Sequence, residues 1–101
     1  MDFRVEITDP AIADLAEIVS YIAQDNSDAA AAVGNNLLDA ALSLQSTPYK
    51  GSLYQRLTGI RKLSTRPFKI FYRVREDGRV IEILRSGTRH DGSRSSEFKQ
   101  A

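Results

Sequence analysis

The chain has 101 residues, with 14 Lys and Arg against 13 Asp and Glu, a net charge of +1, 42% apolar residues and 27% charged ones. These values fit an ordinary globular chain with one core, and no apolar run approaches the ~18 residues of a membrane span. The lack of cysteine rules out disulfides and thiolate zinc sites, and a single histidine, His90, is too few for a histidine metal cluster.

The N-terminus enters strand-like alternation directly, without a basic segment followed by an apolar one, so no secretory signal is read and a cytoplasmic protein is expected. Phe3, Val5 and Ile7 alternate with Arg4 and Glu6, which predicts a half-buried strand over residues 3–7. Asp9-Pro10 starts a helix, Asp as cap and Pro at the first helical position. Ile12, Leu15, Val19 and Ile22, with Ile18 beside them, form its apolar stripe, and the helix is expected to end near Gln24. Tyr21 is expected at a helix–helix or helix–sheet edge. Asp25 to Asp28 is a short connection, with Ser27 as the N-cap of a second helix running to about Leu44. Val33, Leu37 and Leu44 lie on its buried side. Gly34 costs about 1 kcal/mol against Ala in an exposed helix interior, so a packing reason for it is expected. Two helices joined so closely form an antiparallel hairpin whose apolar side must cover a sheet.

Residues 45–54 read as a loop, followed by strands near 58–64, 67–75 and 79–85. Phe68, Ile70, Tyr72 and Val74 fall on one face of the middle strand, and Lys69, Phe71, Arg73 and Arg75 on the other. Tyr72 is therefore expected in the core with its hydroxyl bonded. Asp77-Gly78 suits a two-residue type I′ turn. Glu82, in the last strand, is expected to pair with a neighbouring strand Arg. Residues 86–101 hold few apolar side chains and read as a tail, irregular or ordered by a partner. The architecture is α+β, in the order β-α-α-β-β-β. An N-terminal helical hairpin packs on one face of a small, mostly antiparallel sheet, in a single domain over 1–101, and much of the Arg and Lys occupies the other face.

The near-zero net charge conceals a division. Residues 1–50 hold two cations and eight acids, a net −6, and residues 51–101 hold twelve cations and five acids, a net +7. Nine of those twelve cations are Arg, whose planar fork suits phosphate or carboxylate. A basic face for an anionic partner, nucleic acid or acidic protein, is the functional reading; uneven surface charge is the bland one.

In this order the elements resemble toxins of the ParE/RelE superfamily from bacterial type II toxin–antitoxin modules. The resemblance is carried by ADLAEIVSYIAQDN and the Ala-rich second helix, then GIRKL, FKIFYRV and DGRVIEILR, with Arg89 and His90 just beyond, and it covers nearly the whole chain. It implies a cognate antitoxin whose flexible C-terminal segment wraps the toxin, a hetero-oligomeric complex, no cofactor and no membrane. Two activities are implied as alternatives. ParE-like members poison DNA gyrase by direct binding, without catalysis. RelE-like members are metal-independent endonucleases that cleave mRNA on the ribosome.

The long first helix, GIRKL and IEILR resemble ParE-like chains more closely, while the order Ser-Gly-Thr-Arg-His-Asp-Gly after Arg85 departs from their pattern. On the nuclease reading, Lys62 matches a basic site on the first strand of the sheet stretch, and Lys69 falls where a phosphate-binding Arg is expected. Arg89 matches an Arg after the last strand, and His90 stands in as general base. Ile60 occupies the place of a second strand Lys, and Ser95 lies near the usual tail Tyr. On the binding reading, Arg61, Lys62, Arg66, Arg73, Arg85 and Arg89 meet the antitoxin or the target. A third reading is a non-toxic RNA-binding or regulatory relative with the same fold.

Overall fold

A computed structural model of the chain describes residues 2–65 and 68–88, with Thr88 described in its backbone only. The elements are β1 (Arg4–Ile7), α1 (Asp9–Ala23), α2 (Ser27–Ser43), β2 (Ser52–Leu53), β3 (Arg61–Thr65), β4 (Phe68–Arg75) and β5 (Val80–Thr88). The five strands form one sheet in the order β1-β5-β4-β3-β2. Only β1 and β5 run parallel; the other neighbours are antiparallel. This is the expected α+β arrangement, with one short edge strand inside the segment read as loop. β5 also runs three residues past the expected end at Arg85, to Thr88. Residues 89–101 lie outside the described residues.

The helical hairpin covers one face, here called inner. Ala11, Leu37, Ala41 and Leu44 from the helices pack with Phe3, Ile70, Tyr72, Ile81 and Ile83 from the sheet. These strand residues are alternate positions, so their side chains share a face. Gly34 has its packing reason: a Cβ there would stand 3.3 Å from Val19 Cγ2 on α1. Tyr21 lies outside this core and is 73% exposed, against the packing expected of it.

The caps differ from expectation by one residue each. Thr8 precedes α1, and its hydroxyl donates to the Ile83 carbonyl at 2.7 Å instead of capping the helix. That bond ties the start of α1 to β5 and leaves Asp9 inside the first turn. Asn26 caps α2, its side-chain oxygen accepting from the Ala29 N–H at 3.0 Å, and Ser27 is the first helical residue.

The β4–β5 turn spans residues 76–79, twice the expected length. Arg75 pairs with Val80, and the Arg79 N–H donates to the Glu76 carbonyl. The positive φ angles fall on Gly78 (+95°) and Arg79 (+54°) and not on Asp77. Arg79 is held there by β1: its carbonyl accepts from the Arg4 N–H at 2.8 Å, and its guanidinium lies 4.9 Å from the Phe3 ring centroid. These contacts offset a left-handed conformation that costs about 1–2 kcal/mol outside glycine.

One buried hydroxyl fastens the 44–51 connection to the sheet. Tyr72 is fully buried; its hydroxyl donates to the Pro48 carbonyl and accepts from the Gly51 N–H, each at 2.9 Å. A Cβ on Gly51 would stand 2.6 Å from the Lys62 carbonyl oxygen and 2.8 Å from the Tyr72 hydroxyl. Burial raises the Tyr72 pKa above its ordinary value, against the opposing pull of the Gly51 N–H and the Arg61 charge.

Two outcomes are expected in urea unfolding. Tyr72→Phe leaves a buried N–H without its acceptor and lowers stability by about 1–3 kcal/mol. Gly51→Ala lowers it by a similar amount, about 1–3 kcal/mol, through overpacking. Because the folded pKa of Tyr72 is raised, the unfolded chain ionises first, so the native protein loses stability as pH rises past about 10. Tyr72→Phe is expected to lack that share of the alkaline loss.

Candidate functional site

The outer face of the sheet, away from the helices, has a core of its own. Residues 54–60 fold back over it through the pairs Tyr54 N–H to Ile60 carbonyl and Ile60 N–H to Leu57 carbonyl. Tyr54, Ile60 and Phe71 are buried together, with Leu57 and Leu84 packed against them. The Tyr54 and Phe71 rings meet edge to face with centroids 5.1 Å apart. Phe71 is the reason: an aromatic on the face otherwise lined with cations needs cover, and the 54–60 loop supplies it. A register shift between Phe71 and Tyr72, opposite Leu84, brings Leu84 into this cluster.

The cations expected on a single platform are divided among three environments. Lys62 and Lys69 stand on the outer face with Phe71, since Lys62 is the register partner of Phe71 and Lys69 that of Ser64. Lys62 Nζ lies 5.8 Å from the Tyr54 ring centroid. Arg73 is also outward, but its Nε and Nη2 donate to Glu82 Oε1 at 3.0 and 2.8 Å, and Arg75 lies 3.5 Å from the same oxygen. Glu82 is thus the strand ion-pair partner expected of it.

Arg85 reaches the helix layer. Its Nε and Nη2 engage Asp14 of α1 at 2.8 and 2.9 Å, and the Ser86 N–H donates to the same carboxylate at 3.0 Å. Arg61 projects toward the inner side at the β2 edge, donating to the Gly51 carbonyl at 2.7 Å and stacking 5.0 Å from the Tyr49 ring centroid. Arg66, Arg89 and His90 lie outside the described residues. Among the described residues, no group of three or more His, Asp or Glu side chains is placed to hold a metal ion. No helix of the described residues is long and apolar enough to cross a membrane.

The sheet-edge pocket is a feature sequence reading missed. It is open, of about 520 Å³, and lined by Ser52, Leu53, Tyr54, Gln55, Arg56 and Lys62. The available signal was Tyr54, an aromatic in a segment read as loop, three residues before Leu57 and six before Ile60.

Along residues 5–91 the sequence matches the family of ParE toxins of type II toxin–antitoxin systems, parDE. The chain belongs to that family. Among solved structures, it is similar to the chromosomal ParDE toxin–antitoxin system of P. aeruginosa, at 26% identity and a TM-score of 0.72, covering 85% of this chain and 95% of that one. It is also similar to the RelBE2 toxin–antitoxin complex of Mycobacterium tuberculosis (24% identity, TM-score 0.66, 88% of this chain and 100% of that one). A doubly substituted E. coli RelE in the free state shares the fold at 13% identity and a TM-score of 0.70, over 99% of this chain and 98% of that one. No curated protein matches the sequence.

Glu82 gives a test of how firmly the strand arginines are engaged. The Arg73 hydrogen bond holds the Glu82 carboxyl below its ordinary pKa, with the Arg73 and Arg75 charges adding to it and burial opposing. A folded pKa lower than the unfolded one gives stability that is present above the unfolded value and lost as pH falls through the folded one. Glu82→Gln is therefore expected to cost about 0.5–1 kcal/mol at neutral pH. The difference from the native chain should shrink on acidification, in denaturation curves taken across that range.

Proposed function

We propose that this chain is the toxin of a type II pair, acting in the cytoplasm by binding DNA gyrase as a protein inhibitor and held inactive by a cognate antitoxin. The observation that carries the reading is the state of the outer sheet face. Cleaving RNA without a metal requires free cations around a scissile phosphate and a nearby acid or base. Here the middle of that face is filled by Tyr54, Ile60 and Phe71, and Ile60 occupies the position where a second strand Lys would serve. Arg73 and Arg75 are engaged by Glu82, and Arg85 by Asp14. A face whose middle is closed by the 54–60 loop and whose Arg73 and Arg75 are engaged leaves less room for phosphate chemistry than for contact with a protein surface. The ParE family match and the likeness to the P. aeruginosa ParDE system add support. The P. aeruginosa and M. tuberculosis relatives are toxin–antitoxin systems, which supports a hetero-oligomer with an antitoxin here.

A second reading, ribosome-dependent mRNA cleavage, draws on Lys62 and Lys69 sharing the outer face. It would use them with Arg89 and His90.

The test is a gyrase assay with purified, antitoxin-free protein, following supercoiling and the accumulation of cleaved DNA. Loss of supercoiling or cleaved DNA at near-stoichiometric protein is expected, and His90→Ala should leave it unchanged. Folded protein without effect on either readout would overturn the gyrase reading. Ribosome-dependent mRNA cleavage abolished by Lys62→Ala or Lys69→Ala would then replace it.

A further inference from the structure

The free edge of the sheet at β2 has two different sides, and together they describe a ligand. Tyr54 directs its N–H inward, to Ile60 of the neighbouring segment. Alternation along an extended strand then turns the N–H and C=O of Leu53 outward, away from β3. The register pairs Ser52 with Lys62 and Leu53 with Arg61. The Ser52 side therefore opens on the pocket that holds Lys62 and Arg56. The Leu53 side is shared with Arg61, whose guanidinium lies against the Tyr49 ring. Leu53 is 62% exposed and Tyr49 47% exposed.

The pocket side is cationic without a counter-charge. Its lining holds Lys62 and Arg56 but no Asp or Glu, and among the described residues neither cation is ion-paired. This sets the pair apart from Arg4, Arg73, Arg75 and Arg85, which each lie within 3.5 Å of a carboxylate. Ser52 and Gln55 add hydrogen-bonding groups to the same pocket.

We infer that this edge is a binding site for an extended peptide segment of alternating acidic and apolar residues, added to the sheet beside β2. A strand laid there alternates its side chains between the two sides. Those on one side place carboxylates on Arg56 and Lys62. Those on the other cover Leu53 and Tyr49. The outward N–H and C=O of Leu53 fix the register. Nucleic acid offers phosphates to the pocket but has neither peptide groups for the Leu53 backbone nor aliphatic side chains for the Leu53 surface, so the peptide fits the whole edge and the polyanion half of it. The site stands apart from the gyrase reading, since a chain without effect on gyrase would still carry it.

The experiment measures binding to a fluorescently labelled synthetic peptide of alternating Glu and Val, by anisotropy, with full-length protein. A Lys–Val peptide of the same pattern and a single-stranded oligonucleotide serve as the other two probes. The Glu–Val peptide is expected to bind in preference to both. Arg56→Glu should weaken it by about tenfold or more, the loss of one charge-assisted contact. Leu53→Pro, which deletes the outward N–H, should weaken it comparably, while Arg4→Glu at the opposite edge leaves it unchanged. Arg56→Glu is an exposed substitution, so it reports on the site even if Leu53→Pro does not fold. Equal binding of the acidic and basic peptides, preference for the oligonucleotide, insensitivity to Arg56→Glu, or no peptide binding by folded protein would each overturn the proposal.

Discussion

The Tyr72 hydroxyl is the point on which the layout of this protein depends. The chain leaves α2 on the inner side of the sheet and must cross its edge before it can form β3. The crossing is held by one phenol oxygen, which takes the Gly51 N–H and gives its proton to Pro48, and by Arg61, which grips the Gly51 carbonyl. Gly51 lies so close to the Lys62 backbone that no side chain fits. A buried polar group without partners costs about twice what a satisfied one contributes, so the three groups stand or fall together. Position of β2, the stacking of Arg61 on Tyr49 and the opening of the edge pocket all follow from where this crossing is pinned.

Charge in the molecule is arranged by the same logic. The basic half of the sequence does not become a uniform basic surface, because several of its arginines have their carboxylates built in. Glu6 and Glu82 sit opposite one another in the β1–β5 register, an unfavourable pairing on its own. Arg4 engages one, and Arg73 and Arg75 engage the other. Asp14 takes Arg85 across the layers. Among the described residues, Arg56 and Lys62 at the β2 edge have no ion pair, and they lie beside exposed apolar surface at Leu53. That combination of charge beside apolar area is the chemistry of a protein-binding surface.

Much of this fold was legible in the sequence, for identifiable reasons. The alternation through Phe68 to Arg75 placed Ile70 and Tyr72 in the core, and the stripe through Leu15 and Ile18 gave α1 its buried face. Gly34 and Glu82 met the partners their positions demanded. The misses arise where tertiary contacts override local preference. Thr8 gives its hydroxyl to Ile83, so the helix starts without a side-chain cap. Arg79 accepts a left-handed conformation because Phe3 and Arg4 hold it, which lengthens the turn beyond what Asp77-Gly78 suggests. The candidate site was less legible. Strand periodicity assigns a cation to a face, but whether Arg85 reaches solvent or Asp14 depends on a helix seventy-one positions away. The second core was hidden because its cover, the 54–60 loop, forms neither helix nor strand, and its visible signs were Phe71 among cations and the spacing of Tyr54, Leu57 and Ile60.

The parallel pairing of β1 with β5 bears on how the chain folds. The first strand made has for its partner the last, and Thr8 closes the same junction across seventy-five positions to Ile83. The hairpin of α1 and α2 is local in sequence and has what it needs to form early. β1 has nowhere to pair until β5 has been synthesised, and the inner core cannot close before then. Sequence-distant closure of this kind slows folding relative to helical proteins of the same size. During synthesis residues 1–79 therefore wait for β5 with the apolar stripe uncovered, a period in which a chaperone or another binding protein has access to surface that the finished fold conceals.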